Sequence, residues 1–187
     1  MSQSQLIIIV VAIIAAAAVI IYFLKAQSSK RLRERFGPEY TRAVESSGNA
    51  MRGEAHLKKL EKRVEKYDIH PLTPEARARF VDSWRRLQAK FVDEPQHAVS
   101  EADQLVAEAM TARGYPVADF EQQAADLSVN HPLVIENYRA GHAIAVRHSQ
   151  GKASTEDLRQ ALIHYRKLFD ELVGEPAVNT QARAAGR

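Results

Sequence analysis

Residues 6–24 read LIIIVVAIIAAAAVIIYFL, nineteen consecutive apolar residues. A helix rises about 1.5 Å per residue, so this run reaches about 28 Å, close to the roughly 30 Å of a bilayer's hydrocarbon core. In water such a helix would expose apolar side chains all round, with no polar face to turn outward. The run therefore predicts one transmembrane helix from Leu6 to Leu24, with Tyr22 as its interfacial aromatic anchor.

The flanks set an orientation. The five residues before the run carry no Lys or Arg, whereas residues 25–37 carry Lys25, Lys30, Arg31, Arg33 and Arg35 against Glu34 alone. Lys and Arg stay on the cytoplasmic side, so the expected topology is a signal-anchor in the inner membrane with the rest of the chain in the cytoplasm. The lipid bilayer is then the first partner, and the five bases are placed to meet anionic headgroups. A cleaved signal peptide is the alternative. Its charges should precede an apolar core of about 7–15 residues, and here they follow a longer one. Ala26-Gln27-Ser28 does fit a small-x-small cleavage site, and cutting there would release a periplasmic domain beginning near Ser29. Without the cut, that alternative is a tethered periplasmic domain. Ala12 and Ala16 form a small-xxx-small pair, a spacing at which membrane helices associate into homo-oligomers.

Outside the run the hydrophobic fraction falls from 45% to roughly 39%, an ordinary soluble composition. One span excludes a polytopic transporter, and the absence of Cys excludes a disulfide scaffold, a thiol nucleophile and a thiolate metal site. Charge is unevenly spread. Residues 25–90 hold 17 Lys and Arg against 9 Asp and Glu, net +8, while residues 91–187 hold 9 against 14, net −5. The basic stretch KKLEKRVEK at 58–66 interleaves Glu61 and Glu65, so it reads as a solvated, salt-bridged helix face. No nucleic-acid motif accompanies it, and nucleic acid is not an expected partner.

The remaining periodicity is helical. Gly37-Pro38 ends a basic juxtamembrane helix and opens a short one to about Glu45. A helix over about 50–67 carries Leu57, Leu60, Val64 and Tyr67. Thr73-Pro74 starts another, with Phe80, Trp84, Leu87 and Phe91 on one face, a stripe that predicts core packing. Pro95 opens a helix with Ala98, Ala102, Leu105, Val106, Ala109 and Met110 inward, ended by Gly114. Asp119 caps a helix to about Leu127, and Ser128 or Asn130 is expected to cap the next, with Pro132 opening it. That helix is expected to face Ile135, Tyr138, His142, Ala145 and Val146 inward. The last starts at Ser154 and carries Leu158, Leu162, Tyr165, Phe169 and Leu172. The fold class is thus all-α: a transmembrane helix followed by an antiparallel multi-helix bundle. The expected organisation is a short tail at 1–5, the membrane helix at 6–24, a basic segment at 25–37, the bundle at 38–174 and a disordered tail at 175–187.

Signatures of chemistry are sparse. No two of the eight glycines stand two or three apart, so no dinucleotide fingerprint is present, and no Gly-Lys is followed by Ser or Thr, so there is no P-loop. No GxSxG elbow occurs, and no two histidines are spaced three or four apart. His142 and His164 would approach each other if their helices packed antiparallel, which keeps a His-based metal protein as a further alternative. The densest polar stretch, DFEQQAADLSVNHP at 119–132, makes Glu121, Asp126 and His131, with His142, a candidate polar corner. It is expected to be structural or to dock a partner, because no nucleophile or cofactor signature accompanies it. No cofactor and no catalytic residue is expected.

The run GYPVADFEQQAADLSVNHPLVIENYRAGHAIAV, residues 114–146, followed by STEDLRQALIHYRKLFDEL, resembles a group of uncharacterised bacterial proteins. These are short chains with one N-terminal hydrophobic segment and a helical remainder, and the likeness covers about residues 31–175. The resemblance implies a bacterial membrane-anchored helical protein and assigns no activity. With the rest, it leads to the expectation of a non-enzymatic single-pass protein whose helical domain binds a protein partner.

Overall fold

The computed structural model describes residues 3–174, with side chains from residue 12 onward. Met1, Ser2, the Leu6 side chain and the expected disordered tail at 175–187 lie outside the described residues. The chain is all-helical, 80% helix, with no strand among the described residues. In chain order the helices are α1 (Gln3–Phe36), α2 (Pro38–Ser47), α3 (Ala50–Val64), α4 (Pro74–Lys90), α5 (Pro95–Ala112), α6 (Phe120–Asn130), α7 (Ile135–Ser149) and α8 (Thr155–Gly174). Packing divides them into two compact units, one ending at Lys59 and the other beginning at Leu60, so the division falls inside α3.

In the first unit α1 runs unbroken through the apolar run and the basic segment. It stops where Gly37 takes a φ of 49° and Pro38 opens α2. Leu32, Phe36, Tyr40, Ala43 and Leu57 are buried. The α2–α3 turn is tight: a Cβ added at Gly53 would stand 2.8 Å from the Val44 backbone, so only glycine permits this approach. The Tyr40 hydroxyl donates to Glu54 Oε1 at 2.8 Å, and the Arg33 guanidinium lies 5.1 Å from the Tyr40 ring centre.

In the second unit α8 packs most extensively against α7 and α5, and α4 lies against α5. Arg147 pairs with Asp157 at 3.3 Å and Asn137 with His164 at 3.0 Å, so α7 and α8 run antiparallel. Trp84 is completely buried and stacked on Phe169, centroids 4.6 Å apart. Leu87 is buried too, with Phe80 and Phe91 half-buried against the same core. All six apolar residues expected inward on α5 are buried. Thr73 caps α4, its hydroxyl accepting from the Ala76 N–H at 3.2 Å.

Three local expectations are corrected. The third helix ends at Val64, and Tyr67 lies in the turn beyond it. α6 runs on to Asn130 rather than stopping near Leu127, and α7 begins only at Ile135, without a side-chain cap. Ser128 does not cap because its hydroxyl is satisfied within α6, donating to the Ala125 carbonyl at 2.7 Å. The Asn130 amide instead donates to the Tyr115 hydroxyl at 3.2 Å, and Pro132 lies in the intervening turn. On α7 the buried residues are Ile135, Tyr138, Gly141 and Ile144, while Val146 is exposed. The face is turned because α8 meets α7 at Gly141, where an added Cβ would lie 3.4 Å from His164 Cβ and the Tyr165 ring.

Candidate functional site

Two regions combine unusual exposure or burial with chemistry-bearing residues. The first is α1. From Ala12 to Phe36 it is long and apolar enough to cross a membrane, a property that a signal sequence shares. Ile13, Val19, Ile20, Tyr22, Phe23 and Leu24 are all exposed, Tyr22 at 71% and Leu24 at 61%. Lys25 and Arg31 behind them are exposed as well, and Lys30 lies 3.8 Å from Glu34 one turn on. Arg33 is exposed too, its guanidinium lying over the Tyr40 ring. Arg35 is half-buried.

The second region is the polar stretch around α6. Asp119 caps the helix, accepting from the Gln122 N–H at 2.9 Å. Two turns in, Asp126 is buried, 2% exposed at its side chain. Its carboxylate accepts from four donors: Arg63 Nε at 2.9 Å, Arg63 Nη2, the Tyr67 hydroxyl at 3.1 Å and Gln122 Nε2 at 3.1 Å. Arg63 Nη1 also donates to Gln122 Oε1 at 2.6 Å, so one guanidinium grips both α6 side chains. Burial raises the Asp126 carboxyl above its ordinary value, and the pull of Arg63 and Tyr67 only partly offsets it. Burial also raises the Tyr67 hydroxyl, with the Asp126 charge acting in the same direction.

The other corner residues hold different partners. Glu121 is exposed and pairs with Arg139 of α7 at 3.0 Å. His131 is buried at the end of α6, its N–H donating to the Leu127 carbonyl at 2.8 Å and its Nδ1 lying 3.3 Å from Glu171 of α8. The His142 ring stacks on Phe120, centroids 3.6 Å apart and planes within 8°. His164 is hydrogen-bonded to Asn137, and burial lowers its pKa, with Lys167 adding to the effect. The two rings expected to approach each other are thus engaged with different neighbours. Among the described residues no group of three or more His, Asp or Glu side chains is placed to hold a metal ion.

Sequence reasoning missed Arg63 and Tyr67. Arg63 was expected on the solvated face of KKLEKRVEK, whereas it is half-buried on Asp126. The available signal was spacing within α6, where Gln122 stands four residues before Asp126 and shares its helical side; Tyr67, in the turn beyond α3, carried no such signal. A second missed cluster lies between α5, α7 and α8. There burial, reinforced by the Asp103 charge, raises the Tyr138 and Tyr165 hydroxyls far above the ordinary phenol range. Tyr138 donates to Gln123 Oε1 at 3.1 Å. These arrangements tie side chains of different segments together: three donors converge on Asp126 Oδ1 and the Tyr67 hydroxyl alone reaches Oδ2.

No protein-family model, curated protein or solved structure matches the chain.

Proposed function

We propose that this chain is a single-pass inner-membrane protein without catalytic activity, whose helical remainder lies in the cytoplasm and serves as a docking scaffold for a protein partner. The observation that carries the reading is the exposure of α1's apolar side chains. Over two turns ending at Leu24, each residue from Val19 onward is more than half exposed, a surface that stays unfavourable in water and is satisfied by lipid. The cations that follow the run support the inward orientation. The scaffold reading is supported by the polar interior, whose carboxylate and hydroxyls tie one helix to another.

A reporter fused after Gly174 tests the topology: activity of a cytoplasmic reporter is expected, and activity of a periplasmic one overturns the orientation. N-terminal sequencing of the membrane-bound chain tests the anchor, and a mature start near Ser29 would replace it with a released domain. Crosslinking in intact membranes is expected to capture one defined protein partner on the soluble part.

A further inference from the structure

We propose that the face of α1 formed by Leu24, Gln27, Ser28 and Arg31, flanked by Lys30, is a binding site for the headgroup of an anionic phospholipid. The inference rests on the membrane reading of α1 and deepens it. These residues, with Glu34, line one shallow open groove. Positions 24, 27, 28 and 31 follow helical spacing, so they form a continuous side. Leu24 supplies the apolar lower rim, where acyl chains begin. Ser28 and Gln27 supply a hydroxyl and an amide, and Arg31 and Lys30 supply two cations, the donor set a phosphodiester needs.

Depth supports the assignment. Each interfacial layer is about 5–7 Å thick, and Gln27 and Ser28 lie about 5–6 Å beyond Leu24 along the axis. Arg31 lies about 10 Å beyond it. Side chains on a helix lean toward its N-terminus, which here is the membrane, so the long arms of Lys30 and Arg31 reach back into the headgroup layer. Lys30 is available: its side chain is 78% exposed, and its contact with the exposed Glu34 spans 3.8 Å. Arg33, by contrast, is occupied by Tyr40. Lipid is favoured over a free anion because the groove's lower rim is apolar and continuous with the exposed apolar surface of the span.

The test uses the full chain in mild detergent, titrated with phosphatidylglycerol or phosphatidylcholine, with bound lipid counted by native mass spectrometry. Preferential retention of phosphatidylglycerol is expected. Neutralising one cation near a charged surface weakens attraction about fivefold, so Lys30→Gln with Arg31→Gln is expected to reduce the preference about twenty-fivefold. Arg85→Gln with Arg86→Gln, on the exposed side of α4, is expected to leave it unchanged. Equal retention of the two lipids, or an equal loss in the α4 variant, would overturn the site. Washing membranes without detergent reads the anchor separately. A chain that leaves the membrane sinks the anchor reading, whereas one that stays and takes both lipids alike sinks only the headgroup site.

Discussion

At Gly114 the backbone holds a φ of 93°, and a Cβ there would fall 2.0 Å from the Asp68 carbonyl oxygen. Gly151 has a φ of 70° with open space around it. Gly114→Ala is therefore expected to cost well over about 2 kcal/mol and Gly151→Ala about 1 kcal/mol, compared by urea unfolding. Asp126 gives a second contrast. Arg63→Met leaves a buried carboxylate without its cation and is expected to cost about 3 kcal/mol at neutral pH, with much of the loss recovered when Asp126→Leu is added. The pH sign follows from the raised folded pKa. The folded state holds the proton more tightly, so this group's contribution is fully present below the ordinary aspartate pKa. It is lost as pH rises through the raised value. Urea midpoints between pH 3 and pH 6, about the range over which carboxyls titrate, should fall with rising pH relative to Asp126→Asn. Thr73 and Asp119 were legible in the sequence because a cap and the amide it serves lie three residues apart. Arg63 and Asp126 were not, because 63 residues separate them and only the packing of α3's end near α6 reveals which charge leaves water.

Among elements, α8 shows how a helix start can be written locally. Ser154 Oγ accepts from the Asp157 N–H at 3.2 Å, and Asp157 Oδ2 accepts from the Ser154 N–H at 2.8 Å, a reciprocal capping box. These hydrogen bonds hold the Asp157 carboxyl below its ordinary value. Ser154→Ala is expected to lower stability by about 1 kcal/mol at neutral pH, and by less once acid protonates Asp157, read by thermal melts at the two pH values. Helix identity and most boundaries followed from such caps and from Gly and Pro. The inward face of α7 did not. Apolar spacing offered Val146, but a helix face is chosen by its neighbour, and α8 comes nearest where α7 has no side chain, at Gly141. That choice buries Ile144 and leaves Val146 in solvent.

For the whole chain, the apolar run announced one helix long and apolar enough to cross a membrane, and the remaining periodicity announced a helical remainder. The position of the packing division was hidden, since α3 is continuous through Lys59 and Leu60 and no Gly or Pro marks the change. A chain lacking residues 1–24 is expected to leave the membrane fraction while Trp84 keeps its blue-shifted emission. That indole is wholly buried against Phe169 and belongs to the unit beginning at Leu60. An equal red shift on truncation would show that the core needs the anchor. α1 stays helical past Leu24 to Phe36, and Leu32 and Phe36 are locked in the first unit's interior. It is therefore a driveshaft rather than a leash: with no swivel before Gly37, any twist imposed on its N-terminal end arrives at α2 as torque.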